Sequence, residues 1–157
     1  MAQVAIREYN AKTMWSAFSG IPYSGFLVER EEDFSHFQKI EHQNPLFVIK
    51  PDQLFGKRGK YGLVGVKLDA DTAKSWWREK HNQEVTIGKQ TGKLTTFLVE
   101  PFVPHTEEYY VAIQTERDHD VIYFSPAGGI DVEEHWDQVE EIKIPLKKND
   151  DTQKQRS

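Results

Sequence analysis

Four cations, Lys50, Lys57, Arg58 and Lys60, crowd into the stretch Lys50–Leu63, interrupted by Gly56, Gly59 and Gly62. The chain around them has a formal net charge of −5, so the cluster is a local exception. Glycines let backbone N–H groups turn towards an anion, and Lys and Arg add full charge. A polyphosphate is the natural guest for such a loop. The alternative is a solvated basic hairpin tip, and composition alone favours that reading. A second group of candidates is Glu100–Val103 with Glu108, where carboxylates stand beside Pro101, Phe102 and Val103. Read as residues only, Glu107 and Glu108 are an ordinary charged entry to a strand. The third group is Gly128-Gly129-Ile130-Asp131 with Glu133 and Glu134. Its glycines suggest close backbone approach or a turn with positive φ. Its carboxylates invite a magnesium reading.

The elements that must position these residues follow from periodicity. Leu46–Ile49 and Leu63–Val66 are apolar runs, so the basic loop is expected to join two strands as a lid. The Lys50 stem would be held by sheet packing while its ammonium faces a cleft. Glu8–Phe18 reads as a helix, ended by Gly20 and Pro22. Phe26–Val28 reads as a short strand. Asp33 can cap a second helix running to about Glu41, with Phe34, Phe37 and Ile40 as its apolar stripe. Asp69-Ala70-Asp71 starts a third helix, where carboxylates suit the positive end of the dipole. Its Trp76 and Trp77 are expected in the core, a base-stacking surface being the alternative. Glu84–Ile87 and Leu94–Glu100 are expected to pair as antiparallel strands across a turn. Pro101 and Pro104 bracket a stiff connector. Tyr109–Ile113 and Val121–Phe124 are two more strands joined by a charged turn. Val132–Gln138 suggests a turn of helix, and Ile142–Leu146 a last strand. The pattern is α+β, antiparallel-rich, and lacks internal repeats.

Bulk properties exclude several classes. The 157 residues are 38% hydrophobic and 29% charged, enough to bury a core. The acidic balance argues against a dedicated nucleic-acid binder. With no cysteine, disulfides, zinc–thiolate sites and cysteine nucleophiles are excluded. No apolar run approaches the ~20 residues of a membrane span, and Met1–Tyr9 lacks a signal-peptide core. A cytoplasmic protein is expected. The histidines, such as His36, His42, His81 and His119, show no metal-ligand spacing.

Three long motifs in order, Lys50-Pro51-Asp52-Gln53-Leu54, Val99-Glu100-Pro101-Phe102-Val103-Pro104-His105 and Gly128-Gly129-Ile130-Asp131-Val132, join the opening Ala5–Lys12. Together they resemble the ATP-citrate lyase family over about residues 5–145, namely the N-terminal ATP-grasp part of its citryl-CoA synthetase module, which is related to the succinate–CoA ligase β subunit. The resemblance implies a partial ATP-grasp fold over residues 1–146, a lid subdomain at about 46–100 and a polar tail at 147–157. It implies that Lys50 contacts nucleotide phosphates and that Arg58 and Gly59 lie in the phosphate-covering loop. Glu100, Pro101 and Val103 would line the adenine pocket, largely through backbone groups. Glu108 would take the ribose hydroxyls, although the interval after His105 is shorter than in animal members, which makes Glu107 the alternative. The cofactor implied is ATP with magnesium, whose ligands are expected outside this chain.

The same resemblance implies an enzyme that converts citrate, CoA and ATP to acetyl-CoA and oxaloacetate through phosphohistidine, citryl phosphate and citryl-CoA. His105 belongs to the hinge motif and is not expected to be the relay histidine. The partners implied are ATP and the remaining segments or subunit of the lyase in a homo- or hetero-oligomer, with citrate and CoA bound elsewhere in that assembly. No catalytic residue is expected in this chain, which is read as incomplete and inactive alone. A succinate–CoA ligase β-like fragment, a non-catalytic ATP-binding or assembly module, and a domain whose basic loop binds an acidic partner are the alternatives.

Overall fold

The computed structural model describes residues 5–42, 45–54, 56–129 and 136–145. It divides into two compact units, Met1–Pro104 and His105–Ser157. The connector expected between Pro101 and Pro104 therefore ends at the boundary.

The first unit is built on a four-stranded antiparallel sheet. Its strands are β1 (Phe26–Val28), β2 (Phe47–Pro51), β3 (Gly65–Leu68) and β6 (Phe97–Pro101), in the order β1-β6-β2-β3. Burial alternates along β2: Phe47, Ile49 and Pro51 are buried, whereas Val48 and Lys50 are partly exposed. Phe47, Ile49, Phe97 and Val99 form one core with Phe34, Phe37 and Trp77. These last residues come from a 3-10 helix (Glu31–His36), the short α2 (Phe37–Ile40) and α3 (Ala70–Lys80). Phe37 and Phe47 rings lie 4.5 Å apart, and Trp77 meets Phe34 edge-on at 5.5 Å. The tryptophan pair of α3 is thus core, as expected: Trp77 is buried and Trp76 packs against the same cluster. Asp69 caps α3 by accepting from the Thr72 amide at 2.8 Å.

Several expectations need correction. The second helix is not one α-helix to Glu41. It begins as a 3-10 helix because the Asp33 carboxylate accepts from the Glu29 and Arg30 amides, both at 2.9 Å, tightening the first turn. The strand before the basic loop runs on through Lys50 and Pro51, so Lys50 is a strand residue. The strand after the loop is Gly65–Leu68 instead of Leu63–Val66, and its pairing with β2 shifts register between Phe47 and Ile49. Glu84–Ile87 (β4) pairs with Gln90–Lys93 (β5), not with the following strand. That following strand, β6, is central because its apolar residues pair with β1 on one side and β2 on the other.

In the second unit β7 (Tyr110–Thr115), β8 (His119–Ser125) and β9 (Glu140–Pro145) form an antiparallel sheet. The charged turn between β7 and β8 closes with the Glu116 amide donating to the His119 carbonyl at 2.9 Å. Most of the helical turn expected at Val132–Gln138, the acidic residues Asp131, Glu133 and Glu134, and the tail 147–157 lie outside the described residues.

Candidate functional site: a cation–carboxylate cluster on the sheet

Antiparallel pairing sets Lys50 opposite Leu98 and Val48 opposite Glu100. Lys50 and Glu100 are therefore diagonal neighbours, on the face of the sheet turned away from the aromatic core. The Lys50 ammonium donates to Glu100 Oε2 at 3.0 Å. Over this face comes α1 (Glu8–Ser19), as expected from sequence. Glu8 and Lys12, one turn apart, both reach into the cluster. Glu8 Oε1 accepts from Lys50 at 2.5 Å and from Lys12 at 2.7 Å. Lys12 also donates to both oxygens of Glu100, at 2.6 and 2.9 Å. The other Glu8 oxygen accepts from Arg58 Nη2 at 2.7 Å.

Arg58 ties the basic loop back to its own strand. Its Nη1 donates to the Pro51 carbonyl at 2.6 Å. Its carbonyl in turn accepts from the amides of Tyr61 and Leu63, at 3.3 and 3.0 Å. Gly59 sits inside that turn, where its carbonyl accepts from the Gly62 amide at 3.1 Å. Two further groups complete the cluster. The Tyr23 hydroxyl donates to Glu100 Oε1 at 2.8 Å. Gly25 is needed for this, because a Cβ there would run into the Tyr23 ring. Asp52 is buried, and its Oδ1 accepts from the Tyr9 amide at 3.3 Å, in the first turn of α1. It stands in for a local cap, since Arg7 at the N-cap provides none.

The electrostatics follow from this geometry. Burial raises the Glu8 pKa, but hydrogen bonds and charge from Lys12 and Lys50 outweigh it and hold the carboxyl at about 2. Glu100 is likewise pushed up by burial and drawn down further by Lys12 and Lys50. Lys12 is lowered by burial and raised more by Glu100 and Glu8. The Tyr23 hydroxyl is raised, first by burial and then by its bond to Glu100. Glu8 and Glu100 are thus carboxylates and Lys12 an ammonium at neutral pH, while the Tyr23 hydroxyl keeps its proton.

Of the residues singled out from sequence, Lys50 and Glu100 meet directly, Arg58 joins them through Glu8, and Gly59 lies in the same loop as Arg58. Glu100 meets the cations through its side chain, in addition to any role of its backbone. Pro101 closes β6, the Phe102 amide donates to the Leu46 carbonyl at 2.8 Å, and Val103 is exposed. Glu108 belongs to the second unit. There its Oε1 lies 2.7 Å from His105 Nε2, and its carbonyl accepts from the Gly128 amide at 2.7 Å. Gly128 and Gly129 behave as their sequence suggests. A Cβ on Gly128 would press on the Tyr109 backbone, and Gly129 has φ +100°. Glu107 is engaged by the Tyr109 hydroxyl at 2.8 Å. Glu8, Lys12 and Tyr23 were not singled out as site residues. The Glu8/Lys12 spacing of one helical turn was the available signal. Among the described residues there is no group of three or more His, Asp or Glu arranged to hold a metal, and no helix long and apolar enough to cross a membrane.

An ammonium and a guanidinium beside a glycine-bearing turn match the oxygens of a phosphate chain. The family profile described as the ATP-citrate synthase ATP-grasp domain matches residues 2–157. ATP-citrate synthase alpha chain protein 2 of Oryza sativa subsp. japonica is 41% identical over 157 residues, covering 94% of this chain and 37% of that protein. ATP-citrate synthase of Bos taurus is 54% identical over 87 residues, 54% of this chain and 8% of that protein. The structure of ATP citrate lyase from Methanothrix soehngenii in complex with citrate and coenzyme A superposes with a TM-score of 0.73 at 41% identity, over 92% of this chain and 35% of that one. The chain thus spans little more than a third of the rice relative's length. Matched along nearly its whole length, the chain belongs to the ATP-citrate synthase ATP-grasp domain family.

Proposed function

We propose that this chain supplies the nucleotide-binding part of an ATP-citrate lyase, with Lys50 and Arg58 as the phosphate-contacting cations. The observation that carries the reading is that β2 and the loop after it bring the two cations onto one carboxylate, Glu8. ATP, when bound, supplies the phosphoryl group that drives formation of acetyl-CoA and oxaloacetate from citrate and CoA. The chain's own residues hold and screen it. Lys50 and Arg58 offer charge-assisted donors to phosphate oxygens, and the loop containing Gly59 covers them and limits access of water. Glu100, Pro101 and Val103 serve the base side, and Glu108 takes the ribose hydroxyls. Magnesium would accompany the phosphates, with ligands contributed from outside this chain. Residues 46–100 act as the lid. The remaining lyase segments, the sites for citrate and CoA, and a cytoplasmic location belong to the same proposal.

Calorimetric titration with ATP and magnesium tests it, beside Lys50→Ala and Arg58→Ala. The reading predicts saturable binding that weakens in both variants, with ATP preferred over tripolyphosphate. Equal competition by ATP, ADP and tripolyphosphate would instead favour a generic anion surface.

A further inference from the structure

From the contacts of α1 we infer that Glu8 is a positioning residue, which fixes the Lys50 ammonium and the Arg58 guanidinium relative to each other so that their remaining donors meet a polyphosphate together. The inference rests on the nucleotide reading above. One carboxylate touches both heads: Oε1 takes Lys50 at 2.5 Å and Oε2 takes Arg58 at 2.7 Å. Lys50 is a strand residue and Arg58 a loop residue, so strand pairing does not join their head groups; the Pro51 carbonyl holds the Arg58 side near the strand, but one residue must bridge the two heads themselves. Glu8 does.

Donors remain for a ligand. An ammonium has three N–H groups and a guanidinium five. Described residues engage two of Lys50's, through Glu8 and Glu100, and two of Arg58's, through Glu8 and the Pro51 carbonyl. Long cationic side chains ordered before binding lose less freedom when the ligand arrives. A lysine on a strand held by a helical glutamate is also the arrangement by which protein kinases ready a phosphate-binding lysine.

The opposing effect is that a carboxylate repels polyphosphate. Here Lys12 offsets it. Lys12 lies one helical turn after Glu8 and contacts Glu8 at 2.7 Å and Glu100 at 2.6 Å. The helix therefore brings one negative and one positive charge, and its contribution is geometric. The frame that presents it is specific. The Asp52 carboxylate, at the far end of the β2 strand from the connection to α2, accepts from the Tyr9 amide beside Glu8. The low pKa of Glu8 keeps the bridge charged at neutral pH.

The test uses the whole 157-residue chain and four variants: Glu8→Gln, Glu8→Asp, the pair Glu8→Gln with Lys12→Gln, and Glu31→Gln as a control that breaks an exposed pair with Arg78. Each is titrated with ATP, tripolyphosphate and adenosine, and acylation of Lys50 without ligand is followed by mass spectrometry. Positioning predicts roughly tenfold weaker binding of ATP and tripolyphosphate in Glu8→Gln, the scale of one charge-assisted hydrogen bond. Adenosine binding stays unchanged, and Lys50 acylation accelerates. The paired variant, which preserves net charge, stays weak. Glu8→Asp, too short to bridge both heads, retains charge but recovers only part of the affinity, and it carries the test if Glu8→Gln does not fold. Unchanged or tighter polyphosphate binding in Glu8→Gln, or recovery in the paired variant, overturns the inference while leaving the nucleotide reading intact. A wild-type chain that binds neither ATP nor tripolyphosphate overturns the nucleotide reading, and the inference with it.

Discussion

Two helices of nearly equal length sit in the first unit and are held in opposite ways. The helix α3 is capped by its own Asp69 and buries Ala73 and Trp77 in the aromatic core. The helix α1 has no buried residue. Its Trp15 and Phe18 are exposed at 62% and 82%, and it is anchored through Glu8, Lys12 and the Tyr9 amide, all polar. Apolar burial is non-directional and tolerates small shifts. Ion pairs and hydrogen bonds set particular atoms at particular distances. The contrast assigns the two helices different work: α3 stabilises the sheet, and α1 arranges charges on its other face.

The sharpest way to break this comparison is to empty the core position. Trp77→Ala should cost about 3–5 kcal/mol in denaturant unfolding, because a large buried side chain is lost and a cavity left. If it costs no more than a surface change, α3 is not the structural helix. The next effect falls on ligand binding. Lys50→Ala should weaken ATP about 10- to 100-fold through loss of charge-assisted bonds, with far less effect on stability than Trp77→Ala.

A third prediction concerns pH. The folded-state pKa of Glu8, about 2, lies below its ordinary 4.5. A depressed carboxyl contributes stability that is present above the unfolded pKa and lost as pH falls through the folded one. Acid unfolding should therefore show a Glu8-dependent loss between about pH 4.5 and 2. Glu8→Gln should be less stable than wild type above that window, by on the order of 1–3 kcal/mol, the scale of hydrogen bonds to a charged group, with the difference closing towards pH 2. A constant difference across the window would contradict the ion-pair account. The smallest effect concerns salt. Amide exchange in α1 should quicken as ionic strength rises to 1 M, where the screening length is ~3 Å, while exchange in α3 should change little. Equal responses would remove the distinction between the helices.

The difference between the helices also marks how much could be read from the sequence. Helix α3 was legible because its signals are local: a capping Asp69, acidic first-turn residues and an apolar stripe. The β7–β8 pair was legible for the same reason, two β-rich runs flanking a charged turn. The β4–β5 hairpin is not legible, because Gln90–Lys93 is exposed throughout and yields no alternation, so the sequence pattern pairs β4 with β6 instead of placing β6 in the main sheet. Within the site, Lys50 and Arg58 stand in one short basic stretch. Their carboxylate partners do not: Glu8 is 42 residues from Lys50, and Glu100 meets it only through strand register. A basic loop read alone therefore suggested unpaired cations. The fold supplies their counter-charges from elements that no local pattern connects.

The most direct test of the central claim, that Lys50 and Arg58 held by Glu8 receive nucleotide phosphates, is protection of Lys50 from acylation, followed residue by residue with mass spectrometry as ATP is added. Lys93, exposed on the β4–β5 hairpin, serves as the internal reference. The account predicts that ATP slows labelling of Lys50 in a saturable manner, that tripolyphosphate does so less effectively, that adenosine does not, and that Lys93 is unaffected. Labelling of Lys50 that is unchanged at ATP concentrations shown by calorimetry to saturate the chain would contradict it.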